Sequence, residues 1–377
     1  MNKNLEKIIK NGNFDVDVDL IDKKVTEVVK LLPKYEEEIY ELIINAIRIE
    51  IGAVEEKQSF WRKIKKNKKE VWEYLYDQYQ VRDKISQIFG IFFPKYNFGQ
   101  LNSGILGEYD QSRVDKIVKQ LTHEGYHIFE NKLSSSICNK ILASLDKVEF
   151  QGKLSDDIIN GIDVKKSKSN TYWVLRHQDI IEIPEIQEIA SDPTILNVVQ
   201  DYLKCAPIQT QSNCWWSTNN STDKKEISSS AQMFHQDFTF VKFIKVFIYL
   251  NNVGPQNGPH VYVPSSTHLK NSDLPKNYKA SQRISDKDIF EKFENVKEMV
   301  GEQGTILFED TTGFHKGKPV ETGHRVIFQL EYCCSVFDGK VTQIGKDQII
   351  KITEKFSPKF KEFIKKYPRI FNSCINQ

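Results

Sequence analysis

The chain has 377 residues, 39% of them hydrophobic and 28% charged, an ordinary globular balance with ample material for a core. Lys plus Arg number 53 against 51 Asp plus Glu, a formal charge of +2, which lacks the basic excess that general nucleic-acid binding requires. The longest apolar run, near Ile88 to Phe93, is about half a dozen residues, against about 20 for a membrane span, so neither nucleic acid nor membrane is an expected partner. The N-terminus, Met1 to Glu6, carries no apolar core or cleavage site and is not read as a secretory signal. Six irregularly spaced cysteines, with no CxxC pair and with Cys333 adjacent to Cys334, are expected to be reduced thiols of a cytoplasmic protein.

The length exceeds that of a usual single domain, and the texture divides the chain at about residue 108. In the first part, Val25, Val28, Val29, Leu31 and Leu32, then Ile39, Leu42, Ile43, Ala46 and Ile47, recur at three- and four-residue steps, predicting two helices separated by Pro33. Trp72, Leu75 and Tyr76 begin a third, expected to end near Gly90 and Pro94, and the turn-rich stretch 97–104 reads as a linker. Residues 1–108 are thus an α-helical N-terminal region and 109–377 a second domain.

That second domain opens on a helix, Val114 to His123, stopped at Gly125, followed by a short strand from Tyr126 and a helix capped by Ser134. A further helix is predicted from Asp192 to Leu203. Strand-like runs then follow: Gln209 to Thr218, Met233 to Asp237, Phe240 to Leu250, Val261 to Val263, Gly304 to Phe308 and Arg325 to Tyr332. Many short strands punctuated by Gly, Pro and Asn suggest a sandwich or barrel rather than a parallel sheet.

The informative constellation is His235-Gln236-Asp237, His315 and Arg325. Strand side chains alternate faces, so His235 and Asp237 point the same way. A second imidazole from a distant strand, His315, completes a two-His-one-carboxylate set that leaves three coordination positions open. Two of these suit a bidentate 2-oxoacid and the third suits dioxygen. The far carboxylate of such a co-substrate needs a cation, and the planar fork of an arginine pairs with it bidentately. Arg325 follows His315 by ten residues, and the Gly- and Pro-containing stretch between them is expected to form a hairpin turn into a neighbouring strand.

Around this set, Gln232 to Asp237, Lys245 to Leu250, Asn257 to His268, Gly304 to Gly317 and Arg325 to Tyr332 resemble, in order and spacing, the phytanoyl-CoA dioxygenase family. The resemblance covers roughly residues 112 to 340 and implies a double-stranded β-helix (a jelly-roll, cupin-like α+β fold) with flanking helices. It implies an Fe(II)- and 2-oxoglutarate-dependent oxygenase consuming O2, with His235, Asp237 and His315 as metal ligands and Arg325 as the co-substrate anchor. By similarity Asn213 and Phe247 are expected to line the 2-oxoglutarate site. Lys245, which shares the parity of Phe247, and Trp216, as pocket wall, are expected to contact substrate. Hydroxylation of a small-molecule substrate, free or carrier-bound, with release of succinate and CO2 is the implied outcome, since related halogenases lack the carboxylate that Asp237 supplies. The family often has Ser or Asn two residues after the distal His, where this chain has Gly317.

Competing readings were weighed. His177-Gln-Asp179 repeats the first motif, but residues 180 to 203 read as loop and helix, not as the strands that must separate the ligands. His123-Glu-Gly-Tyr-His127 fits HExxH, yet Gly125 and the β-prone residues after it read as a helix end, disfavouring a zinc hydrolase. A jelly-roll binding protein without iron is the other alternative. His260, His268 and His324 are expected to be surface or hydrogen-bonded imidazoles.

Overall fold

The computed structural model describes residues 16–50, 78–99, 104–107, 109–153, 155–167, 172–175, 180–219, 231–269, 282–336 and 354–371, with isolated positions at 70, 71, 74, 75, 273 and 278. Helices α1 (Val18–Val29), α2 (Glu36–Glu50), α3 (Tyr79–Phe92) and α4 (Gln111–Glu124) lead the chain, followed by α5 (Ser135–Leu145), α6 (Pro184–Ala190), α7 (Pro193–Leu203), α8 (Asp286–Lys292) and α9 (Pro358–Lys366). The first two predicted helices are present: α1 buries Ile21, Val25, Val28 and Val29 along one face. The third, α3, runs through Gly90 to Phe92 and stops ahead of Pro94. Trp72 and Tyr76 lie outside the described residues, as do His177, Asp179 and part of the 97–104 stretch.

Eleven strands are described. β1 (Tyr126–Ile128), β2 (Glu149–Gly152), β3 (Ile158–Asn160), β4 (Tyr172–Leu175), β5 (Ile208–Thr218), β6 (Phe243–Tyr249), β9 (Ile306–Glu309) and β11 (His324–Cys333) form one antiparallel sheet, in the order β1-β9-β6-β11-β5-β4-β2-β3. β10 (His315–Gly317), β7 (His260–Tyr262) and β8 (Lys297–Met299) form a second, three-stranded sheet. The architecture is the double-stranded β-helix, a sheet pair enclosing a cavity, with helices covering the outer face of the large sheet.

Residue alternation explains the layering. Ile244, Val246 and Ile248 of β6, Phe328 and Leu330 of β11 and Trp216 of β5 join the main core with residues of α1 through α7. Their opposite-parity neighbours Trp215, Phe247, Tyr249 and Ile327 pack instead with Tyr262 and Met299 of the small sheet. Because β6 is buried on both faces, its sequence reads as an apolar run interrupted only by Lys245 rather than as an alternation.

Two expectations are corrected. Met233 to Asp237 is not a strand but carries two isolated bridges, Phe234 to Ile284 and His235 to His315. The stretch after His315 is not a hairpin between neighbours, since β10 pairs with β7 and β11 pairs with β5 and β6; the chain crosses from one sheet to the other. The helix end expected at Gly125 is present: α4 stops there with a left-handed φ of 83°, so the two histidines of HExxH do not share a helix. His123 ends the helix against Glu124, whereas His127 stands in β1 opposite Phe308.

The N-terminal helices and the sheet share one core. On α3, Arg82 donates to Thr312 Oγ1 at 3.2 Å, and Asp83 pairs with the buried Lys242. Cys138, Cys205, Cys214, Cys333 and Cys334 are buried free thiols.

Candidate metal and co-substrate site

His235 and His315 are direct cross-strand partners. Each backbone N–H donates to the other's carbonyl at 3.0 Å, and the ring centroids lie 4.3 Å apart. Asp237 N–H donates to Thr311 O at 2.8 Å, tying the motif to the turn that precedes His315. Both rings present Nδ1 to a backbone carbonyl two residues earlier, His235 to Met233 O at 2.9 Å and His315 to Gly313 O at 3.0 Å. With Nδ1–H so donated, each Nε2 keeps its lone pair for a metal. The Nε2 atoms face Asp237 from 3.7 Å (His235) and 3.4 Å (His315), and the three ligand atoms lie within 4.8 Å of one another.

Electrostatics fit the same role. Burial, and then His315, pushes the His235 imidazole down to about 3, so it is neutral and free to ligate. Burial alone would raise the Asp237 carboxyl, but Lys245 first and then the two imidazoles hold it well below the usual carboxylate range. Lys245 Nζ lies 2.7 Å from Asp237 Oδ2 and 3.5 Å from Glu331 Oε2.

His235, Asp237, His315 and Lys245 line a cavity of about 330 Å³ between the sheets, together with Asn213, Trp215, Phe247, His260 and Arg325. Arg325 is 2% exposed, and among the described residues no carboxylate forms an ion pair with it. Its Nη1 donates to Gly258 O and its Nη2 to Ser217 Oγ at 3.3 Å, while its Nε is buried without a partner. A buried guanidinium with that free donor has the chemistry to receive an anion from outside the chain. A Cβ built on Gly317 would stand 3.0 Å from Arg325 Nη2, so the glycine gives the guanidinium its space. Two imidazoles with free Nε2 atoms, one carboxylate and a buried arginine without a carboxylate partner among the described residues, all in one cavity, fit Fe(II) and a 2-oxo dicarboxylate.

Of the other expected residues, Asn213, Phe247 and Lys245 line the cavity and Trp216 does not. Trp216 belongs to the core behind the sheet, stacked on His324 with ring centroids 5.1 Å apart. Asn213 and Trp216 differ by an odd number of positions on one strand, so they cannot share a face; Trp215 is the aromatic on the cavity wall, beside Tyr172 and Phe247. His260, expected as a surface or hydrogen-bonded imidazole, is 5% exposed and lines the cavity. Gln329 was missed although it continues the Arg325, Ile327, Gln329 alternation.

The family model for phytanoyl-CoA dioxygenase (PhyH) matches residues 121–326, more than half of the chain. The chain belongs to the phytanoyl-CoA dioxygenase family. In that general sense it is an iron- and 2-oxoglutarate-dependent oxygenase, with O2 as oxidant. No curated protein sequence matches this family member. Among solved structures it is similar to the non-heme α-ketoglutarate-dependent epimerase SnoN from nogalamycin biosynthesis, at 14% identity and a TM-score of 0.43 over 59% of this chain and 84% of that one. It is also similar to AviO1 from Streptomyces viridochromogenes Tue57 (14%, TM-score 0.38, 58% and 94%). HygX from Streptomyces hygroscopicus, with nickel and 2-oxoglutarate bound, matches at 12% identity and a TM-score of 0.41 over 58% and 86%. No described helix is long and apolar enough to cross a membrane.

Proposed function

We propose that the protein hydroxylates a small-molecule metabolite or biosynthetic intermediate, with His235, Asp237 and His315 as the iron ligands and Arg325 as the anchor of 2-oxoglutarate. The observation that carries this reading is the convergence of those three ligand atoms within 4.8 Å in the same cavity as the buried Arg325, whose Nε has no partner among the described residues. When bound, Fe(II) with 2-oxoglutarate supplies the oxidising chemistry: dioxygen is consumed, succinate and CO2 leave, and a C–H bond becomes C–OH.

The chain's own residues do the positioning. The Nδ1–H bonds to Met233 and Gly313 hold both rings edge-on to the centre. Asp237 fills the third ligand place, as hydroxylation requires, and Lys245 fixes its carboxylate. Arg325 would take the far carboxylate of the co-substrate, and Phe247 and Trp215 wall the site against water. Asn213, whose Nδ2 donates to Gln211 Oε1 at 2.9 Å, would steady the co-substrate from β5. A cavity of about 330 Å³ is at the small end of ligand sites, which favours a compact substrate or the reactive end of a carrier-bound one. We assign residues 1–108 as a helical cap on the 109–377 oxygenase domain, bracing it through α3.

Succinate release with candidate substrates tests the assignment. Turnover should require added iron and fall at least about 100-fold in His235→Ala and His315→Ala. Undiminished turnover in either variant refutes it.

A further inference from the structure

His260 and Glu309 form a buried dyad that the functional reading above leaves without a task. His260 Nδ1 lies 2.9 Å from Glu309 Oε1. Glu309 is 0% exposed, and its second oxygen, Oε2, has no hydrogen-bond partner. Burying a carboxylate with one partner, on the wall of an active cavity, is costly for the fold alone. The imidazole packs on Phe247 with ring centroids 4.3 Å apart, and its other nitrogen, Nε2, makes no hydrogen bond within the described protein although the residue lines the cavity.

The position of the ring narrows what Nε2 serves. His260 stands in β7 directly opposite Gly317 of β10. Gly317 is also the residue against which Arg325 Nη2 packs, and Gly258, two residues before His260, accepts from Arg325 Nη1. The guanidinium and the imidazole therefore share one corner of the cavity. Nη1 and Nη2 each commit one hydrogen to the protein, to Gly258 O and Ser217 Oγ, and the remaining hydrogens of the guanidinium can still pair with a carboxylate. A carboxylate has about four acceptor sites on two oxygens, so even a bidentate arginine leaves room for a second donor. Burial holds the His260 imidazole below its ordinary range and Glu309 opposes that; an arriving carboxylate acts in the same sense as Glu309 and favours the ring form with a hydrogen on both nitrogens, Nδ1–H on Glu309 and Nε2–H toward the cavity.

We propose that His260, oriented by Glu309, is a second donor to the distal carboxylate of 2-oxoglutarate, beside Arg325. The inference rests on the reading of Arg325 as the co-substrate anchor. It makes His260 a determinant of co-substrate choice and Glu309 a positioning residue.

The test is anaerobic calorimetric titration of the full-length, Fe(II)-loaded protein with 2-oxoglutarate and with 2-oxovalerate, which has the same chain length but no distal carboxylate. His260→Leu should raise the Kd for 2-oxoglutarate roughly tenfold to a hundredfold, as expected for loss of a hydrogen bond to a charged group, and leave that for 2-oxovalerate within about twofold. Glu309→Gln should shift the same selectivity in the same direction by less. Equal weakening of both ligands, or no weakening of either, overturns the inference while the functional reading stands. Failure of the unmodified Fe(II)-loaded protein to bind 2-oxoglutarate overturns the functional reading itself, and this inference with it. Should His260→Leu not fold, the His260→Leu/Glu309→Leu variant removes both buried polar groups together and carries the same two-ligand comparison.

Discussion

Lys245 Nζ lies 2.7 Å from Asp237 Oδ2 and 3.5 Å from Glu331 Oε2, so one ammonium bridges a carboxylate of the metal cluster and a second carboxylate behind it. Glu331 is 1% exposed and otherwise accepts from Thr210 Oγ1 at 2.8 Å. Burial pushes its carboxyl up, and Lys245 opposes that. Lys245→Met should therefore destabilise the protein by about 3 kcal/mol, because it strands a buried charge. The Lys245→Met/Glu331→Gln variant should recover most of that loss, a comparison that urea unfolding reads directly.

The two adjacent tryptophans of β5 should separate cleanly. Trp216 is fully buried behind the sheet, so Trp216→Ala should cost about 4 kcal/mol in stability. Trp215 lines the cavity, so Trp215→Ala should impair co-substrate turnover more than its effect on the unfolding midpoint would explain. Parallel succinate assays and thermal melts of the two variants check the division.

Helix α3 braces the site from behind. Asp83 is the carboxylate partner of Lys242, whose side chain is 2% exposed and lies 4.4 Å from the Tyr202 ring centroid. Tyr202 in turn donates to Asp310 Oδ2 at 2.5 Å, on the turn that carries His315. Asp83→Asn should lose about 3 kcal/mol in denaturant unfolding, with Asp83→Asn/Lys242→Met restoring much of it.

His127 gives the fold an acid sensitivity away from the metal. Burial brings its imidazole down to about 4 from an ordinary 6.5, while Nδ1 faces Gln120 Oε1 at 2.7 Å. Between pH 6.5 and about 4 the unfolded chain binds a proton that the folded chain refuses. The stability due to neutral His127 is thus complete above pH 6.5 and is lost as pH falls through that window. His127→Gln should show a smaller drop in urea midpoint from pH 7 to pH 5 than the unmodified protein does.

The parts of the site legible in the sequence were those governed by strict local rules. His235 and Asp237 lie on one side because they stand two positions apart, although the bridge at His235, not a full strand, holds them there. Buried strands such as β6 announced themselves by composition. The failures came where parity or pairing was decided at a distance. Trp216 and Trp215 look alike in sequence, and only the pairing of β5 with β4 and β11 sets which one faces in. The short strands β8 (Lys297–Met299) and β10 (His315–Gly317) are mostly polar and lack the apolar signal that marked the equally short β1 and β7. His260 carried no local mark of burial, because its partner Glu309 is 49 residues away.

A crystal structure of the protein soaked anaerobically with Fe(II) and 2-oxoglutarate tests the central claim most directly. The account predicts one metal peak within about 2.3 Å of His235 Nε2, His315 Nε2 and an Asp237 oxygen, with the distal carboxylate of the co-substrate on Arg325. Metal bound elsewhere, or the carboxylate turned away from Arg325, would contradict it.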